Sequence, residues 1–281
     1  MKKLLLIFCV GCFPGYAAYA QSHQQTLSLS LGASFPMGSF ASHEAGLDLK
    51  NFAQTGLSGN ISWQYLFSDG WGVTATVTGI RNPIDRRSLD KAYTGNLPEG
   101  YTAIFGNTDP GALPPPPSEP THAFMPHATF SDAHWLTGGL LAGIVRQWPL
   151  DAPGNYTFAL KLMAGISAVQ SPNYQAKGGA DSVFYTLSQH SRLALAPAVL
   201  GGAAFGYRLS GRWTIRLGLD YFTTGKVRFH RAKTSLLKLA YETGPSGIAQ
   251  GPAPVASSTY IRTVTARVSM VQLHAGLEIP L

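Results

Sequence analysis

Apolar side chains recur at every second position through stretch after stretch of this chain. Leu27, Leu29, Leu31, Ala33 and Phe35 form one series, and Leu57, Gly59, Ile61, Trp63, Tyr65 and Phe67 another. The runs from Tyr156 to Ile166 and from Trp213 to Tyr221 repeat it. A period of two collects these side chains on one face of a β-strand. Between them sit Ser, Thr, Gly, Asn, Gln, Lys and Arg. In a soluble sheet the apolar face would be the core. Here the strands come with short turns alternating with long connections, behind an export signal. That combination puts the apolar residues outward, in lipid, and the polar ones inside a closed barrel.

The export signal is read from its three parts. Lys2 and Lys3 are charged, Leu4 to Phe13 is apolar, and Pro14-Gly15 breaks the run. Ala18-Tyr19-Ala20 is a small-x-small cleavage site before Gln21. Residues 1–20 therefore read as a signal peptide and 21–281 as one barrel domain. Both cysteines, Cys9 and Cys12, lie in the signal. Lipid attachment at Cys12 is the lesser alternative, because Cys9 stands where a Leu-like residue is expected. The mature chain then has no disulfide and no thiol chemistry. No later stretch reaches the roughly 18 consecutive apolar residues of a helical span.

Charged residues make up 12% of the chain against 45% hydrophobic, where a soluble domain carries about 25% charged residues. A barrel needs fewer, because its wall faces lipid and small polar groups fill its lumen. The net charge is +7. An exported chain of this kind has no nucleic acid partner, so the basic excess reads as a surface property.

About eight strands are expected, the smallest common size for such barrels. They fall near residues 25–36, 56–68, 70–80, 134–148, 154–168, 191–208, 212–224 and 262–279. Ser68-Asp69-Gly70, the region Asp151-Ala152-Pro153-Gly154, and Ser210-Gly211-Arg212 read as tight turns. The connections near 37–55, 81–133, 169–190 and 225–261 are long. Short periplasmic turns and long external loops fit an outer-membrane barrel. Phe67 and Trp71, Trp148 and Tyr156, and Tyr207 and Trp213 bracket the three turns, as an interfacial aromatic girdle requires. Trp135, Tyr221 and Tyr260 are expected at the opposite rim. A soluble β-sandwich leaves both the girdle and the loop asymmetry unexplained. The prolines from Pro114 to Pro117, with Pro120 and Pro126, favour an extended segment that stands off the barrel.

These residues resemble those of small outer-membrane β-barrel proteins, similar to the membrane domain of outer-membrane protein A and its relatives. The likeness is carried by the alternating strands, the three bracketed turns and the opening Gly32-Ala33-Ser34-Phe35-Pro36-Met37-Gly38-Ser39-Phe40. The stretch from Leu200 to Tyr207, followed by Leu219-Asp220-Tyr221, has the same Gly-aromatic texture. The resemblance covers the whole mature chain and rests on pattern, with no catalytic signature. It implies residence in the cell outer membrane and insertion by the barrel-assembly machinery. Many members end in an aromatic residue, usually Phe, whereas this chain ends Ile279-Pro280-Leu281.

Strand parity places Lys161, Arg216, Asp220, His274 and Glu278 inside, with Arg192 and Arg208. Arg216 with Glu278, and Asp220 with His274, fit one antiparallel register between the last two strands. In a narrow lumen such charges must pair, and a plug of ion pairs is favoured over a conducting pore. Leu160, Leu162 and Leu217 are expected to face lipid, and a lumen-side change such as Gly218→Ser to be mild. Ser188 with His190, and Ser131 with Asp132 and His134, have the residue types of acyl chemistry, but no nucleophile-elbow motif accompanies them. His122, His127 and His134 match no compact zinc spacing. No catalytic residue, metal or cofactor is assigned. The basic run Arg228, His230, Arg231, Lys233 and Lys238 follows the seventh expected strand. Within it, Arg228, Arg231 and Lys233 are candidate contacts for lipid phosphates. The expected function is structural or interactive, with outer-membrane lipids and an unidentified external ligand as partners. A narrow porin-like channel is the alternative, and a lipid-modifying enzyme the third reading.

Overall fold

A computed structural model describes residues 24–42, 52–88, 133–180, 183–210, 213–243 and 249–281. The signal peptide, the proline run, His122, His127, Ser131 and Asp132 lie outside the described residues. The strands in chain order are β1 (Gln24–Pro36), β2 (Gly56–Leu66), β3 (Trp71–Pro83), β4 (His134–Pro149), β5 (Tyr156–Gln170) and β6 (Tyr174–Ala180). They continue as β7 (Val183–Gln189), β8 (Leu193–Ser210), β9 (Trp213–Thr224), β10 (Val227–Thr243), β11 (Ala249–Ala266) and β12 (Ser269–Pro280).

Eight of them close an antiparallel barrel in the order β1-β12-β9-β8-β5-β4-β3-β2, with β2 back on β1. Period-two alternation decides the two faces. Leu29, Leu31, Leu57, Val77, Leu140, Ile166, Leu195, Leu217, Leu219 and Leu273 are exposed on the outside. Thr26, Ser34, Asn60, Gln64, Thr74, Thr76, Ser167 and Gln272 are buried inside. Such inversion is stable only where lipid bathes the wall, and closure leaves no unpaired strand edge in that lipid. The β2–β3, β4–β5 and β8–β9 connections lie at one end, together with Gln24 and Pro280. That end is the periplasmic one. A barrel closed in this way resists detergent, so unheated protein is expected to run at a different position from boiled protein on gels and to fractionate with the outer membrane. Recovery from the soluble periplasm with no heat shift would overturn the wall assignment.

The expected eighth strand, 262–279, is divided in the structure. Residues 262–266 belong to β11, and β12 starts at Ser269. The connections near 169–190 and 225–261, expected as loops, hold the hairpins β6–β7 and β10–β11. These pair with each other through β7 and β10 into a sheet of order β11-β10-β7-β6. That order repeats the wall order β12-β9-β8-β5, and each outer strand is joined in sequence to its counterpart. Half of the wall thus continues beyond the membrane. Pro252 and Pro254 hid β11 from a sequence reading, but β11 is an edge strand, where proline is tolerated.

Outward Leu217 lies midway between Trp213 and Tyr221 on β9 and is exposed to lipid. Leu217→Arg should therefore destabilise the refolded barrel by about 2–4 kcal/mol, read by urea unfolding in bilayers. Ser28→Ala, on the lumen side, should cost far less. The reverse ranking would mean that the wall faces are exchanged. Gly218→Ser is not the mild change expected from sequence. A Cβ at Gly218 would run into the His274 imidazole, so this glycine makes room for the ring.

Candidate functional site

The charges run from the periplasmic end of the lumen to its middle. Lys161 Nζ donates to Asp220 Oδ2 at 2.8 Å, and His274 Nε2 meets the same oxygen at 2.9 Å. Asp220 is fully buried. Lys161 and Asp220 come from β5 and β9, which are not neighbours. Gly202 of β8 stands between them, in register with both. A Cβ there would strike Asp220 Oδ1, so the absent side chain is what lets the pair meet across the middle strand.

Arg216 donates to Glu278 and, at 3.3 Å, to Gln64 Oε1; Gln64 Nε2 donates in turn to Gln147 at 3.2 Å. The register between β9 and β12 differs by two residues from the one expected. Arg216 lies opposite Gly276, and Asp220 opposite Gln272, so both contacts are diagonal. A shift of two keeps every side chain on its face. Arg208 continues the inward parity but is exposed at the periplasmic rim. Arg192 is not in the lumen: it is exposed just before β8, tied through its backbone to Ser171.

Beside these charges lies a cavity of about 30 Å³ lined by Ser30, Asn60, Ser62, Lys161, Arg216 and His274, among others. That volume accommodates about two waters.

Toward its outer end the lumen adds an apolar cluster to the polar side chains expected from sequence, of which Ser34, Asn82, Thr137 and Ser167 are buried toward that same end. Trp135, Leu141, Met163, Leu200, Phe222 and Met270 are each 2% exposed or less. The two described ends of the first external connection add Phe40 and Phe52 to this cluster. Phe40 meets Trp135 edge-on with ring centroids 5.4 Å apart, and Phe229 of β10 lies 6.1 Å from Trp135 on its own side. Trp135 is therefore an inward plug residue and not part of a rim girdle. Phe52 adopts φ of 65°, a costly conformation for a bulky residue. Backbone bonds from Phe52 to Ser42 and from Asp85 to Phe52 hold it in place.

At the periplasmic end Phe67, Trp71, Tyr156, Tyr207 and Trp213 are exposed on the outer wall and Trp148 is half-buried. Tyr156 and Tyr207 lie 5.0 Å apart by centroid, and Arg146 sits 5.2 Å from the Trp71 ring. Tyr221 is exposed on the wall toward the outer end. Tyr260 lies on β11; its side chain and those of Arg231, Lys233 and Lys238 are outside those described, while Arg228 and His230 are exposed on β10. Among the described residues no three His, Cys, Asp or Glu side chains converge as metal ligands do. His134 approaches Arg81 at 3.5 Å. Ser188 is on β7 and His190 is exposed just beyond it.

No protein-family model matches the chain, and no curated protein matches it. Among solved structures it is similar to the attachment invasion locus protein Ail of Yersinia pestis, at 11% identity and a TM-score of 0.35, covering 92% of this chain and 99% of that one. It is similar to Neisserial surface protein A at 11% identity and a TM-score of 0.33, covering 92% and 95%. A major outer membrane protein of Thermus thermophilus matches at 12% identity and a TM-score of 0.43, covering 92% and 99%. The barrel itself stands on the strand pairing of this chain and on its lipid-facing belt. Closed wall, inverted faces and one-sided short turns have one common solution: the chain is a small eight-stranded β-barrel of the outer membrane.

Proposed function

We propose that this barrel is a non-enzymatic, non-conducting outer-membrane protein with a structural or surface-interaction role. One observation carries the reading. The outer part of the lumen holds a packed apolar cluster that includes Phe40, Phe52 and Trp135, and ions do not cross such a seal. The working surface is then the external one, where half of the wall continues as the four-stranded sheet, since binding surfaces concentrate on segments carried by a rigid scaffold. The lipids of the membrane, the barrel-assembly machinery during insertion and an external ligand are its proposed partners.

The polar cavity beside Lys161 and Arg216 favours the second reading, a narrow channel. Planar-bilayer recording separates the two. The refolded protein is expected to give no conductance steps, and Phe40→Ser with Phe52→Ser to introduce a leak. Reproducible, ion-selective steps from the unaltered protein would establish the channel instead.

A further inference from the structure

The outer rim above β9 and β12 carries an arrangement that the lumen chemistry does not use. Val227 pairs with Ala266 and Arg228 with Thr265. Val227, Phe229, Ala266 and Val268 are buried in the core. Lys226, just before β10, Arg228 on β10 and Arg267, just after β11, alternate with them and are exposed. Among the described side chains no carboxylate shares this face.

Directly below on the wall come the hydroxyls of Thr223 and Ser269, 2.8 Å apart. Below those is exposed Tyr221, paired with Val271, and then the exposed pair Leu219 and Leu273. From the membrane outward the order is apolar, aromatic, hydroxyl, cationic. That order matches the acyl chain, polar linkage and phosphate of a lipid standing against the wall.

The two rims differ in the same sense. At the periplasmic end Arg146 and Arg208 are accompanied by Asp69 and Asp151, and Arg146 lies 3.9 Å from Asp69. At the outer end, on the opposite wall, Arg81, Arg86 and Arg87 are accompanied by Asp85 alone among the described side chains. Among the described side chains the cationic excess therefore belongs to the outer rim.

We propose that Lys226, Arg228 and Arg267 form a binding site for the phosphate headgroup of an outer-leaflet lipid whose acyl chains lie along Leu219 and Leu273. Charge complementarity selects the phosphate, because exposed cations attract anionic headgroups within a Debye length. Arginine adds paired hydrogen bonds to phosphate oxygens. Continuity with the apolar belt selects a lipid over a soluble anion.

The test uses the protein refolded into phosphatidylcholine bilayers doped with spin-labelled phosphatidic acid, or with spin-labelled phosphatidylcholine as reference. Electron spin resonance reads the population held against the wall. Phosphatidic acid is expected to be preferred, with the preference falling about fivefold for each of Lys226→Gln, Arg228→Gln and Arg267→Gln. Arg146→Gln and Arg208→Gln, at the other rim, should leave it unchanged. Gel heat shift confirms that each variant is folded. On the unaltered protein, added potassium chloride should weaken the preference. No preference, or a triple variant that keeps it undiminished, would overturn the site. Inorganic phosphate that competes far better than chloride at equal ionic strength would overturn the lipid assignment and leave a site for the free anion.

Discussion

Asp220→Asn is expected to lower the unfolding free energy of the refolded barrel by about 3–5 kcal/mol. The change is nearly isosteric, so no cavity is created. What it removes is the counter-charge of Lys161, whose ammonium lies 2.8 Å from Asp220 with its side chain 16% exposed. An unpaired charge in a confined lumen costs far more than the pair itself contributes. The double change Asp220→Asn with Lys161→Met should therefore recover part of the loss. Urea unfolding in bilayers measures both. An unaltered midpoint for Asp220→Asn would show that water reaches Lys161 and replaces its partner.

The second large effect concerns Arg216 and Glu278, whose side chains are 15% and 9% exposed. Arg216→Met alone and Glu278→Gln alone should each cost about 3 kcal/mol, the lower end for a pair with some access to water. Together they should cost less than the sum, with a coupling on the order of 0.5–3 kcal/mol, because each single change creates the same kind of unpaired charge. Arg216 also donates to Gln64, so Gln64→Leu should weaken the coupling between the pair. Strict additivity of the two changes would mean that the side chains do not meet, and the pairing of β9 with β12 would have to be redrawn.

Much of this architecture is legible in the order of residues. Leu217 and Leu219 outward with Arg216, Gly218 and Asp220 inward follows from backbone geometry over consecutive residues, and no distant contact is needed to predict it. The three short turns and their bracketing aromatics are equally local. The outer strands were not legible. Proline in β11 and paired glycines in β6 break the alternation, and those strands form because the wall below aligns their partners. The apolar seal was missed for a different reason. Trp135 has the residue type of a rim aromatic, and its inward side follows only from the phase of β4 and from Phe40 arriving from another connection.

What the sequence by itself determined is therefore which side of the wall most barrel residues occupy, Trp135 being an exception. Which charges meet was decided by the tertiary structure alone. Lys161 reaches Asp220 only because β5, β8 and β9 lie side by side in a register that puts Gly202 between them. Parity is a property of neighbouring peptide units, whereas register and strand order are settled by closing the whole barrel, and a shift of two residues leaves the local pattern unchanged.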